Sequence, residues 1–139
     1  MWLFPNIRIV KRRARRSRKA SAAERAHYLH YKERARECVT ERVHHWNQHY
    51  HVQFGRISIR NQRSRWGSCS TKGNLNFNYR IVFLPERLID YVVVHELCHL
   101  LEFNHSAQFW SHVERTMPDY VAHKKELLLQ QNALPQSLS

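Results

Sequence analysis

The sequence predicts an α+β fold: a long N-terminal amphipathic helix, a three-stranded antiparallel sheet, a buried central helix and two C-terminal helices. Three observations carry this. Apolar residues recur at steps of three and four from Tyr28 to Tyr50. The period changes to two in the middle of the chain, where Leu75, Phe77 and Tyr79 alternate with Asn74, Asn76, Asn78 and Arg80. Helical spacing then returns in a nearly continuous apolar run, YVVVHELCHLL. A chain of 139 residues supports one domain. At that size folding hides about 65–70% of the unfolded surface, enough for a core without disulfides. We expect a basic arm at 1–20, one folded domain at 21–132 and a frayed tail at 133–139.

The long helix begins near Ser21, where Ser21-Ala22-Ala23-Glu24 fits a capping box. Tyr28, Tyr31, Ala35, Cys38, Val39, Val43, Trp46 and Tyr50 form its apolar face. His44, His45, His49 and His51 crowd its end; His45 and His49 are four apart, but a solvated helix end explains them. Residues 53–60 read as a strand through Phe54, Ile57 and Ile59. Residues 66–69 and the alternating strand through Tyr79 flank the turn Thr71-Lys72-Gly73 and form a hairpin. Pro85 suits the first turn of the central helix, which a turn at Phe103-Asn104 ends. Ser106 caps a further helix carrying Phe109, Trp110 and Val113, and Pro118-Asp119 starts the last, to about Gln130.

Hydrophobic residues at 42% and charged residues at 24% fit a globular chain, and only 3 Gly and 4 Pro exclude collagen-like and linker-dominated ones. Cys38, Cys69 and Cys98, an odd set without CxxC spacing, point to a reducing compartment. MWLFPNIRIV does not read as a signal peptide, and no run reaches a membrane-spanning length, so a cytoplasmic location is expected. The net charge of +12 is unevenly placed: residues 1–43 hold 13 Lys and Arg against 4 acids, residues 44–139 hold 10 against 7. Lys11, Arg12, Arg13, Arg15, Arg16, Arg18 and Lys19 make an acid-free block. It is either a solvated arm or an attractor of phosphates or acidic surfaces, hence a candidate nucleic-acid contact.

His95-Glu96-Leu97-Cys98-His99 places an HExxH motif inside the central helix. Positions four apart lie about 40° from eclipsed, so both imidazoles face one point. Glu96 is displaced about 100° from His95, close enough to reach water held there without being a ligand. A buried apolar helix has little reason to carry three polar groups on adjoining faces unless something satisfies them. The bland alternative is a pair of histidines hydrogen-bonded within the core. His105, past the predicted turn, completes H-E-x-x-H-x5-H. Three protein ligands with one open position is the catalytic zinc arrangement, so one Zn2+ per chain is expected. A carboxylate on a later helix, Glu114, Asp119 or Glu126, competes as third ligand. Cys98, about 300° from His95, packs rather than ligates.

These residues resemble a known group. Arg65-Trp66-Gly67-Ser68-Cys69-Ser70, the Gly73-to-Asn78 strand, Pro85, Asp90 to His99, Asn104-His105-Ser106, Phe109-Trp110 and Pro118-Asp119-Tyr120 look like the YgjP-like metallopeptidase family across roughly residues 53–125. More distantly the chain is similar to WLM and SprT-like zinc proteases, some of which act on proteins bound or crosslinked to DNA. The ligand spacing also matches the metzincins. Glu102 stands at their Gly position, however, and Met117 alone does not make their Met-turn, so the chain is not assigned to them. The family resemblance implies a minimal zincin fold with His95, His99 and His105 on zinc and Glu96 as the base. The expected chemistry is hydrolysis of a protein or peptide, bound as an added strand along either residues 66–69 or the strand leading to Pro85. Tyr120, His112 and His123 are the candidates for stabilising the transition state; Trp66 and Trp110 read as core. The competing reading is a nucleic-acid-binding module whose zinc is structural or catalytically silent.

Overall fold

The computed structural model of the chain describes residues 19–133. Helix α1 spans Ala22–Tyr50. Its capping box forms as the sequence predicts: the Glu24 N–H donates to Ser21 Oγ (3.1 Å) and the Ser21 N–H to Glu24 Oε1 (3.0 Å). His51 ends it in the left-handed region (φ 54°), and the Asn47 side chain clasps Val52 through both its amide atoms. Ala35, Val39, Val43 and Tyr50 are buried, a stripe at helical spacing.

Strands β1 (Ile57–Arg60), β2 (Gly67–Cys69) and β3 (Leu75–Asn78) form one sheet in the order β1-β3-β2. The hairpin β2/β3 is antiparallel as expected, but β1 pairs with β3 in parallel, so the sheet is mixed rather than antiparallel. The cause lies in the link 61–66. It carries the chain past one strand position before β2 begins, and the hairpin then folds β3 back into the gap. The tight hairpin makes β3 antiparallel to β2, and since β2 runs opposite to β1, β3 runs with β1. Asn78 fastens the link over the end of β3, its Nδ2 donating to the carbonyls of Gln62 (2.8 Å) and Arg65 (3.0 Å). Ile59, Cys69, Leu75 and Phe77 are buried on one face, while Ser58, Asn76 and Ser68 make an outer row.

The alternation expected through Tyr79 stops one residue earlier. The Asn78 side chain accepts the Arg80 N–H (3.0 Å) and starts a 3-10 helix, Tyr79–Phe83. Helix α2 (Glu86–Cys98) follows Pro85, and every residue from Leu88 to Cys98 is buried. It ends sooner than the expected turn at Phe103-Asn104, since the N–H groups of Leu100 and Leu101 already bond three residues back. Helix α3 (Ala107–Thr116) is capped by Ser106, as predicted, and α4 spans Tyr120–Ala133.

Helices α1 and α2 are joined by one ion pair of low exposure. Arg42 grips Asp90 with both arms, Nε–Oδ1 at 2.6 Å and Nη2–Oδ2 at 3.1 Å. Its other acid, Glu86, lies at 3.6 Å and is mostly exposed, so it is a weak substitute. Asp90→Ala is expected to lower unfolding stability by about 2 kcal/mol, the scale of a lost charged hydrogen-bond pair at a part-shielded site. Urea denaturation at neutral pH measures it.

Candidate metal centre

His95 and His99 project from the last turn of α2, and His105 arrives from the loop that Ser106 pins to the start of α3. His99 Nε2 lies 3.1 Å from His105 Nε2, which lies 3.3 Å from His95 Nε2. Three nitrogens bound tetrahedrally at 2.0–2.1 Å from one ion sit about 3.3 Å apart. Two of the three separations match that spacing and all three donor atoms lie within 4.8 Å of one another, so the donor set can hold a single metal ion; these three are the one such cluster found among the described residues. His99 Nδ1 is 3.3 Å from the Glu102 carbonyl oxygen. A carbonyl accepts only a protonated Nδ1, which leaves the Nε2 lone pair for a metal.

Aromatic rings wall the cluster. Phe109 stacks on His99 (4.5 Å between centroids) and meets His95 and His105 edge-on. Trp110 stacks on His105 at 5.8 Å and on Tyr120 at 5.0 Å, with Lys124 Nζ 4.7 Å from its ring centre. Dehydration in this shell lowers all three imidazoles, His95 well below its ordinary value, His99 to about 4 and His105 to about 3. They are neutral at physiological pH, the form that ligates.

Glu96 is fully buried, and neither carboxylate oxygen has a hydrogen-bond partner among the described residues. Burial raises its pKa well above the carboxylate range, and the Arg65 guanidinium opposes that rise. Strand β2 passes directly over it at Gly67. The Asn78 N–H donates to the Trp66 carbonyl and the Ser70 N–H to that of Asn74, so main-chain groups of that parity face β3. Those of Gly67 and Cys69 face the outer edge of the sheet. Of the two strands proposed to take a peptide, β3 is paired on both sides and β2 is an edge.

The three histidines and Glu96 thus come together, whereas the competing carboxylates do not join them. Glu126 pairs with Arg87, Asp119 lies 3.5 Å from His123, and Glu114 is exposed. Cys98 is buried with its thiol pushed up to about 12 by desolvation, consistent with packing. His45 and His49 are exposed, with ring centroids 6.4 Å apart. The His112 carbonyl accepts from Tyr50. Trp66 is core as expected, but half-buried Trp110 lies against His105. Of the basic block, Lys19 is exposed; Lys11, Arg12, Arg13, Arg15, Arg16 and Arg18 lie outside the described residues. Sequence reasoning missed Arg65 and Gly67 as neighbours of Glu96. The signal was a glycine inside a strand, which marks a close backbone approach.

The lowered imidazoles set an acid sensitivity in the metal-free protein. Unfolded, they titrate near the ordinary 6.5; folded, His99 and His105 titrate near 4 and 3. As pH falls below 6.5 the unfolded chain takes protons that the folded chain refuses, so stability falls with pH through that window. Glu96 works in the opposite sense: its raised value favours the folded state in acid, a contribution lost as pH rises above the ordinary 4.5. Three imidazoles outweigh one carboxylate. Thermal melts of metal-stripped protein should therefore fall between pH 6.5 and 4.5, more steeply in Glu96→Gln, where the opposing group is gone. An unchanged midpoint would contradict the neutral-imidazole cluster.

The chain matches the family described as YgjP-like, metallopeptidase domain, over residues 6–129. Its fold is similar to the metallopeptidase zymogen of Pyrococcus abyssi abylysin, with a TM-score of 0.61 and 23% identity over 66% of this chain and 93% of that one. It is also similar to the metallopeptidase zymogen of Methanocaldococcus jannaschii jannalysin, with a TM-score of 0.58 and 19% identity over 67% and 95%. No curated protein matches the chain significantly in sequence. A family match across nearly the whole length, around a three-histidine cluster spaced for one metal ion, identifies the chain as a member of the YgjP-like metallopeptidase family.

Proposed function

We propose that the chain is a zinc-dependent endopeptidase of the HExxH type, with one ion held by His95, His99 and His105 and with Glu96 as general base. The observation that carries this is the pairing of three convergent neutral imidazoles with a buried carboxylate that no described residue engages by a hydrogen bond. Three imidazoles favour zinc among the common divalent ions and leave one position open. Zinc bound there supplies a Lewis acid that acidifies water and polarises the scissile carbonyl.

The chain's own residues supply the rest. Glu96, one residue from His95 and turned about 100° from it, accepts the proton of the attacking water and passes it to the departing amine. Its unpaired oxygens suit a group that must take and release a proton. Burial makes the carboxylate a strong enough base for the task, and Arg65 keeps the charged form within reach. The outward main-chain groups of Gly67 and Cys69 hold an extended peptide as an added strand, alongside Glu96. Phe109 and Trp110 exclude water from the imidazole side and fix the His105 ring. Cys38, Cys69 and Cys98 are free thiols, which supports a reducing, cytoplasmic setting. No described helix is long and apolar enough to cross a membrane.

Metal analysis and a peptide-cleavage assay test this together. Glu96→Gln should keep one metal per chain and lose cleavage by at least about a hundredfold. His105→Ala should lose bound metal. Persistent cleavage by the Gln variant would remove Glu96 from the mechanism, and unchanged metal content in His105→Ala would overturn the three-imidazole site.

A further inference from the structure

At Gly67 the sheet lies close against the Glu96 carboxylate. Its backbone does not require glycine: the described glycine with positive φ is Gly73 (φ 87°), and Gly67 has a conformation any residue adopts. Space requires it. A Cβ at Gly67 would stand 3.2 Å from Glu96 Oε2, 3.3 Å from Glu96 Cγ and 3.2 Å from the Asn76 carbonyl oxygen. Those distances are tighter than ordinary van der Waals contact, so a neighbour must give by a few tenths of an ångström.

The two neighbours differ in their ability to yield. Asn76 is in the centre of β3, paired with Ser58 on one side and Ser68 on the other, and its main chain is fixed by both ladders. Among the described residues the Glu96 carboxylate has no hydrogen-bond partner to hold it. Any atom added at Gly67 therefore displaces the carboxylate rather than the strand. In the native protein the same asymmetry reads in reverse: where no hydrogen bond orients Glu96, packing against a bare strand does.

We propose that Gly67 is a positioning residue, its missing side chain forming the slot in β2 that seats the Glu96 carboxylate beside the three histidines. The proposal rests on the peptidase reading for its kinetic consequence and on contact geometry for its structural one. Because the Gly67 main chain also faces the outer edge, one residue sets both the base and the peptide strand it serves. Oriented reacting groups lose about a hundredfold for a 1 Å misplacement, so a shift of a few tenths predicts a loss of about tenfold.

The test compares Gly67→Ala, Glu96→Asp and the double variant with the wild type, each loaded with zinc. Gly67→Ala should retain one metal per chain and a near-native melting midpoint, with kcat down about tenfold and KM little changed. Added to Glu96→Asp, whose shorter side chain vacates the slot, the same substitution should cost less than about threefold. A high-resolution crystal structure of Gly67→Ala should show the carboxylate displaced over an unmoved β3. An undisplaced carboxylate with native kcat, an equal loss in both backgrounds, or loss of metal in Gly67→Ala would each overturn the slot. A wild-type protein that binds zinc and cleaves no peptide refutes the peptidase reading alone. The crystallographic displacement then still decides for or against the slot.

Discussion

Helix α2 carries His95, Glu96 and His99 at almost no solvent exposure, in a stretch where apolar neighbours occupy nearly every other position. A polar group buried without a partner costs about 1–3 kcal/mol by protein mutational measures. The surrounding structure meets that cost by making the imidazoles neutral and bringing a third one to meet them. Helix α2 packs on α1, β2, α3 and α4, which keeps it from solvent, and α3 and β2 close on the site itself through Phe109, Trp110 and Gly67. Dryness is what gives the site its chemistry. It lowers the imidazoles toward their neutral form and raises the Glu96 carboxyl above its ordinary range, and both shifts have burial as their first cause.

A second constraint comes from charge placement. Between Glu41 and Glu86 the chain has no acid, yet residues 44–85 hold Arg56, Arg60, Arg63, Arg65, Lys72 and Arg80. The +3 of residues 44–139 therefore conceals six basic and no acidic residues in 44–85, against four basic and seven acidic in 86–139. Those arginines must borrow acids from the helices. Buried Glu24, at the start of α1, takes Arg63 at 2.7 Å and Arg80 at 4.0 Å. Arg65 lies within the field of Glu96 on α2. The capping glutamate thus has two roles: it closes the first turn of α1 and anchors the link that delivers β2.

Much of this was readable from residue order, for identifiable reasons. The capping box, the Ser106 cap and the four-residue spacing that turns His95 and His99 to one point are local patterns, decided within one turn of helix, and the structure contains each. The return of His105 to the other two was readable because only five residues separate it from His99, which limits how far the chain can stray. Strand neighbours were not. Alternation says that a segment is a strand and which residues share a face, but pairing is a choice among partners made across the chain. Hence β1 was expected to be antiparallel and is parallel to β3. The end of β3 was misread because Leu75, Phe77 and Tyr79 keep their alternation while the Asn78 amide captures the next N–H and starts a 3-10 turn. Arg65 and Gly67 belong to a legible motif, but what they lie against depends on which helix lies beneath β2.

That dependence makes the register of β2 decisive for the site. In an antiparallel strand, side chains alternate between faces and main-chain groups alternate between edges, with the same period. The residues that turn their side-chain position toward Glu96, Gly67 and Cys69, are therefore the ones whose main chain faces the open edge. A one-residue slip would exchange both properties at once, placing the Ser68 side chain against the carboxylate and turning the outward groups inward. The register is pinned at both ends. At the turn the Gly73 N–H donates to the Ser70 carbonyl at 2.9 Å, the positive φ of Gly73 turns the following chain back into β3, and the Ser70 hydroxyl accepts the Asn74 N–H. At the other end Asn78 holds the carbonyls of Gln62 and Arg65. Neither residue touches the histidine cluster, yet together they decide which atom of the sheet meets the Glu96 carboxylate.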